Sequence, residues 1–463
     1  MEAITKLLSK EEIILPGSSL YEDECKTWDA HKNLHPQVIA RPGSLESLSR
    51  LIVFLCNSEL DFTIRSSGTG SASARDVLVS MAAFDGFEWD ASSETITIGT
   101  GQTWGEVDRK MEEADPDYAA MSARCTYVGV GGSVLAGGIS WQSSERGLIS
   151  DPQNLLDAQV VKTDGTVIWA SKEPDLFWAL RGGGGGFGVV TAFKIRAYKY
   201  TNKIYAGIVM YPRESLPQVA KKVTAFVREN NDPKMALHFY CLNLTHGDPL
   251  QDKPVPGIAV MVYDGHGEEH GRSEVGFKWA LDIEGAVDTT SAITYRQANQ
   301  LADSLKSIKG RINTYYAGAT IPTIDEGLIF RAWEWYDNLI EREPKLSPGT
   351  LVLIEIVQKN AFSSIESPTD CAWPHTSHQH ILQLGTGALP GSPELDKLAL
   401  QALHDGPFQI APGHSDADYF PNFTQPFNDP KAIFGQNYEK LVSLKQHYDP
   451  LGRLKGWFAQ VPN

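Results

Sequence analysis

No apolar run in the chain approaches the roughly 18 to 20 residues that a membrane-spanning helix needs. The opening stretch, MEAITKLLSKEEIILPGSS, alternates charge with apolar residues and lacks the basic-then-apolar order of a secretory leader. A cytoplasmic location and no membrane partner are therefore expected. Cysteine is scarce. Cys25, Cys56, Cys125, Cys241 and Cys371 are odd in number and scattered, with no C-x-x-C pair. This argues against zinc and against a disulfide framework, so no metal and free thiols are expected. Basic residues are outnumbered: 41 Lys and Arg against 57 Asp and Glu leave a net charge of −16. A chain so acidic is repelled by phosphate backbones, which excludes nucleic acid as a general partner. Two nucleotide motifs are missing as well. There is no G-x-x-x-x-G-K-[ST], and no G-x-G-x-x-G follows a strand in a βαβ unit, which tells against P-loop and Rossmann sites.

Glycine is plentiful and gathered. Small residues crowd TIRSSGTGSASARDVLVS (63–80), CTYVGVGGSVLAGGIS (125–140) and the five-glycine run 182–186. Glycines let backbone N–H groups converge on an anion and let the chain approach a flat ring. Three such tracts within 130 residues suggest one large ligand with phosphate and planar parts. The run 182–186 is wedged between DLFWAL and FGVVTAFKI, so close backbone approach is expected there rather than a linker.

Short apolar runs alternate with turn clusters over the first 200 residues. An amphipathic helix is expected over Leu45 to Asn57, capped by Ser44, and another opening near Thr103. Beyond Tyr200, longer amphipathic segments such as LPQVAKKVTAFVREN and IDEGLIFRAWEWYDNLIERE are interleaved with strands such as MALHFYCLNL and GTLVLIEIVQ. This predicts an α+β chain with a second sheet covered by helices on one face. The final helix should stop at Asp449-Pro450.

The ordered segments IRSSGTGS, GQTWGEVDRKM, RCTYVGVGGSVLAGG, PDLFWALRGGGGGFGVVTAFKI and FGQNYEKLVSLKQHYDP resemble those of the berberine-bridge-enzyme-like flavoproteins, of the vanillyl-alcohol-oxidase (PCMH) type. The resemblance runs from about Pro16 to Pro450 and is weakest in the middle. It implies an FAD-binding domain over 1–198, a substrate domain over 199–405 and a C-terminal segment, 406–463, returning to the first domain. It implies that Arg65, Ser66, Ser67, Gly68, Thr69, Gly70 and Ser71 wrap the FAD pyrophosphate. Val128, Gly129, Gly131, Gly132, Gly137 and Gly138 would pass along the flavin and ribityl chain. Gly188 and Val189 would lie by the adenine, and Asn437 and Tyr438 would approach the isoalloxazine.

The chain departs from that family in two places. The usual first turn is Arg-x-Gly-Gly-His, whose histidine bonds to the flavin. Here the position is Thr69, so no histidyl link is expected. Cys125 aligns with the second anchor and is either bonded to the flavin or packed unreacted beside it, with Arg124 placed to favour the thiolate if its charge points inward. The family's Y-x-N-Y is Phe420-Pro-Asn-Phe423, so two phenols that serve in base catalysis are absent. The remaining candidates for proton transfer are Glu355, in an apolar strand, with Tyr127, Tyr419, Tyr438, His375 and Gln383. His378 and His380 share a strand face opposite Gln383.

The resemblance implies an oxidase. A small natural-product intermediate, of the kind made by fungal secondary metabolism, would give hydride to flavin N5, and O2 would reoxidise the flavin. The alternative is redox-neutral isomerisation, dehydration or cyclisation on the same scaffold.

Overall fold

A computed structural model describes residues 2–200, 203–244, 250, 253–357, 362, 367 and 370–458. Among these residues the strands form three sheets. The first is small, with Ile13–Ile14, Val38–Ala40, Val77–Ser80 and Phe62–Arg65 side by side in that order. Val77–Ser80 pairs in parallel with Val38–Ala40 on one side and Phe62–Arg65 on the other. The helix Leu45–Cys56 connects two of these strands and buries Leu48, Leu51, Ile52 and Leu55 against them. That i, i+3, i+4, i+7 stripe is what an amphipathic helix needs to cover a sheet face. Ser44 caps it by accepting from the Ser47 N–H, as its sequence suggested.

The second sheet is built on the long strand Val189–Lys199, which pairs with Thr95–Gly99 on one side and Leu155–Val161 on the other. The helix Trp104–Ala114 opens at Thr103, whose backbone and hydroxyl both bond Glu106. The main run of the third sheet goes from Ile204–Tyr211 to Asn313–Ile321. Its centre is antiparallel and nearly continuous: Ile204–Tyr211, Pro256–Asp264, Met235–Asn243, Leu351–Ile356, His380–Ala388 and Asn313–Ile321. Helices Leu216–Glu229, Glu326–Arg342 and Pro393–Ile410 cover one face. The chain is therefore α+β, with helices on one side of the large sheet.

The other face of that sheet carries a group of polar side chains. Directly opposed residues in neighbouring strands point to the same side. His238 pairs with Glu355 and with Met261, Tyr240 with Leu353, and Leu353 with Gln383. Gln383 in turn opposes Gly318, and Gly385 opposes Tyr316. His238, Tyr240, Glu355, Gln383 and Tyr316 thus share one face. Trp141, from the glycine-rich part of the chain, stacks on His238 at 4.3 Å between ring centres, so this face is turned toward residues 119–143. The terminal helix Tyr438–Tyr448 ends before Asp449, as expected from the proline that follows.

Candidate functional site

The three glycine-rich tracts meet. Gly70 and Ser71, Gly132 and Ala136, and Gly184 and Gly185 border one cavity of about 680 Å³. This lies within the range of roughly 300–1,000 Å³ usual for small-molecule and cofactor sites. His31, Lys32, Lys455 and Trp457 complete its wall. Nothing lies within 4 Å of where a side chain would start at Gly70 or Gly132, so both backbones face open space.

The first turn holds these walls in place more than it lines them. Ser66 Oγ donates to the Thr100 carbonyl at 2.5 Å and accepts from the Gly131 N–H at 3.3 Å. Thr69 Oγ1 donates to the Tyr127 carbonyl at 2.9 Å and sits 3.2 Å from Ser67 Oγ. Gly129 is pressed against Ser66 and Ser67, and a β-carbon there would meet the Ser67 backbone nitrogen at 3.0 Å. The first and second tracts are thus stitched together by hydroxyls. Val128 contributes through its carbonyl, which accepts from Trp104 N–H. Ser71 keeps a left-handed backbone, φ +58, and its Oγ accepts from the Asp29 N–H.

Several expectations need correction. Arg65 does not wrap the cavity. Its side chain is buried beneath the turn, packed under Gly68, with Nη1 donating to the Cys25 carbonyl at 3.4 Å. Gly188 and Val189 lie inside the second sheet, where Val189 pairs with Val161 and Gly188 is crowded by the Val160 side chain. They do not border the cavity. Asn437 Nδ2 donates to the carbonyls of Cys371 and Ala372 at 3.0 and 3.1 Å. Tyr438 packs near Phe458. Tyr419 is buried between His414 and Phe427, while its neighbour Phe420 is the residue that reaches Gly137. Chain neighbours in an extended segment point to opposite sides, which is why adjacency misplaced Tyr419. Gly137 and Gly138 lie at the edge of this second tract, with Gly138 N–H donating to Asn422 Oδ1 at 2.9 Å.

His375 forms a buried lock. Nε2 lies 2.8 Å from Asp151 Oδ1 and Nδ1 lies 3.1 Å from the Trp373 carbonyl. Burial disfavours the charged imidazole, but the bond to Asp151, the Asp151 charge and the Trp373 carbonyl together outweigh it and raise the pKa. His378 bonds Thr320, and His380 is buried on the face opposite Gln383.

A second constellation stands beside the 124–128 loop. Arg124 and Glu355 form an ion pair. Glu355 is fully buried, so it is not the accessible acid or base that its apolar strand suggested. Its partner is the Arg124 that was expected to activate Cys125. With that charge engaged, burial dominates and the Cys125 thiol pKa is raised. Arg124 Nη1 also lies 3.1 Å from His238 Nε2. Around the pair are Cys125, which hydrogen-bonds Tyr127, with Tyr240, Tyr316 and Gln383. Each of these five keeps partial exposure although each sits deep in the molecule, which marks a cleft. Trp28 stacks under Tyr127 with ring centres 4.5 Å apart. Burial pushes the Tyr127 and Tyr240 pKa values up, so both phenols stay protonated at neutral pH. His238, Tyr240, Tyr316 and Trp28 were not singled out in the sequence. The alternation of His238 and Tyr240 in MALHFYCLNL was the signal available.

Comparison with known proteins fits this geometry. Residues 36–171 match the family described as FAD binding domain. The chain is 29% identical over 242 residues to (R)-6-hydroxynicotine oxidase of Paenarthrobacter nicotinovorans, covering 51% of each. It is 34% identical over 218 residues to an FAD-dependent monooxygenase of Aspergillus calidoustus, covering 44% of this chain and 40% of that one. The chain thus spans about half the length of the curated relatives it matches. The fold is that of the berberine-bridge-enzyme-like protein 1 of Physcomitrella patens, with a TM-score of 0.80 at 15% identity over 98% of both chains. The domain match and the fold together describe an FAD-binding domain set against a large sheet. The chain shares its fold with a berberine-bridge-enzyme-like protein and carries a match to an FAD-binding domain over residues 36–171.

Proposed function

We propose that the chain is an FAD-dependent oxidase acting on a small natural-product intermediate. The observation that carries this reading is the convergence of three glycine-rich tracts on one cavity beside a polar cleft. The cavity suits the cofactor: open backbone at Gly70 and Gly132 leaves room for close approach, and Lys32 offers positive charge to a pyrophosphate, with Lys455, which pairs with Asp61, on the same wall. Residues 1–198 and 406–463 would hold FAD, and 199–405 would cover it. Bound FAD supplies the hydride acceptor and, with O2, its own reoxidation. The chain's part is to seat the substrate between the 124–128 loop and the sheet face carrying Tyr240 and Gln383. Tyr127 and Tyr240, held protonated, act there as hydrogen-bond donors. The matched oxidase and monooxygenase relatives support oxidation. Five unpaired thiols support a reducing compartment, and among the described residues no helix is long and apolar enough to cross a membrane.

Extraction and spectroscopy test this. Denatured protein should release FAD into the supernatant and run at its polypeptide mass. Thr69 offers only a hydroxyl, already bonded to the Tyr127 carbonyl, and the Cys125 thiol is held protonated. A flavin-bearing peptide containing Cys125 would contradict that expectation of free FAD. Finding FMN or a nicotinamide at stoichiometric level would overturn the cofactor. With substrate and no oxygen, the flavin band should bleach; turnover without bleaching or oxygen uptake would point to redox-neutral chemistry.

A further inference from the structure

The hydrogen-bond directions around Arg124 follow from chemistry alone. A guanidinium has donors and no acceptor. His238 Nε2, 3.1 Å from Arg124 Nη1, must therefore accept, so this imidazole is neutral and carries its proton on Nδ1. Nδ1 faces Tyr240 Oη at 3.4 Å. The histidine donates and the phenol oxygen accepts. The Tyr240 hydrogen is then free to point elsewhere. Glu355 fixes the far end of the chain by pairing with Arg124, and Trp141 holds the imidazole plane by stacking at 21°. Tyr240 itself retains exposure in the cleft, among Cys125, Tyr127, Tyr316 and Gln383.

We infer that Tyr240 is the substrate-binding hydroxyl of this cleft, and that it takes the acceptor oxygen of a neutral, planar ligand such as an aryl carbonyl. This rests on the reading of the cleft given above. The class follows from three features. Arg124 and Glu355 cancel each other's charge, as do Asp303 and Lys306 beside the 124–128 loop, so a charged ligand would find no unpaired countercharge among these groups. The cleft's walls are aromatic, with Tyr127 on Trp28 and Tyr316 nearby, which suits a flat ligand. Its oriented polar group is a donor. His238, Arg124 and Glu355 are positioning residues that act through Tyr240.

The test uses purified protein carrying FAD, with 4-hydroxyacetophenone as the probe and benzoate as a charged comparison. Binding is read from perturbation of the flavin absorption band. The ketone should bind and benzoate should bind much more weakly. Its carbonyl stretch, followed by infrared difference spectroscopy, should fall on binding. Tyr240→Phe should weaken binding about five- to tenfold, as for one neutral hydrogen bond, and return the stretch toward its free value. His238→Gln keeps an acceptor and a donor and should retain the shift; His238→Phe should lose it with FAD still bound. A carbonyl shift unchanged in Tyr240→Phe overturns the inference, as does equal binding of benzoate or no binding of the ketone, and in each case the oxidase reading stands. Protein that binds no FAD overturns that reading and this inference with it.

Discussion

Arg124 and Glu355 show how a side chain's role depends on its partner. Each stood out in the sequence for a separate reason, Arg124 as a neighbour of Cys125 and Glu355 as an acid in an apolar strand. They are 231 positions apart, and only the packing of the 124–128 loop on the sheet face brings them together. Burial alone would lower the Arg124 pKa, but Glu355 outweighs it and raises it. Removing one partner of a buried pair leaves the other uncompensated and costs about 3–5 kcal/mol, while replacing both with apolar groups is often nearly neutral. Glu355→Gln should therefore lower stability by that order in urea melts. The double variant Arg124→Met, Glu355→Leu should recover most of it. A Glu355→Gln protein with an unchanged midpoint would show that the pair is not structural.

The glycine tracts behave as connected elements, and their positions are not equivalent. Gly184 has φ +78, its N–H donates to the Leu135 carbonyl at 2.8 Å, and a β-carbon would meet the Trp457 ring at 2.8 Å. Gly185 also borders the cavity, but its nearest neighbour from that point is the Lys455 carbonyl at 3.9 Å. A left-handed backbone costs an L-residue roughly 1–2 kcal/mol before any clash. Gly184→Ala should thus lower both melting temperature and FAD content, whereas Gly185→Ala should leave the melting temperature near that of the parent. Equal effects at the two positions would mean that the cavity wall is not built as described. Small-residue density announced these tracts, and cap residues announced the helices that begin at Leu45 and Trp104, because turn and cap chemistry is local. The placement of Gly188 and Val189 was not legible. A strand pressed against Val160 and a turn beside a ligand use the same glycine.

Three of the buried histidines illustrate opposing pH responses. His380 is held at about 4 by burial. A folded-state pKa below the ordinary 6.5 means the unfolded chain takes up the proton first. Its stabilising contribution is complete above about pH 6.5 and is lost as pH falls toward 4, amounting to about 2 kcal/mol already at pH 5. His238, held well below the ordinary range by burial and then by Arg124, adds in the same direction. His375 has the opposite sign. Its raised pKa stabilises the fold below about pH 6.5, and that contribution fades as pH climbs through the folded value. Urea melts at pH 5, 6.5 and 8 should show His380→Leu losing less stability than the parent between pH 6.5 and 5. His375→Gln should lose less than the parent on the alkaline side. Parallel pH profiles in all three proteins would refute these assignments.

The sequence by itself determined the elements and the ligand class. Apolar periodicity, caps and glycine clustering act over a few residues, so they could be read without a structure, and the ordered motifs pointed to FAD. Tertiary structure decided which side chains face the cavity and which charges meet. Trp457 reached the cavity from the far end of the chain, Tyr419 turned its back on it, and Glu355 was enclosed by Arg124. The physical reason is range. Backbone preferences are set by near neighbours, whereas the partner of a buried charge and the side of a strand left open are set by contacts hundreds of residues away.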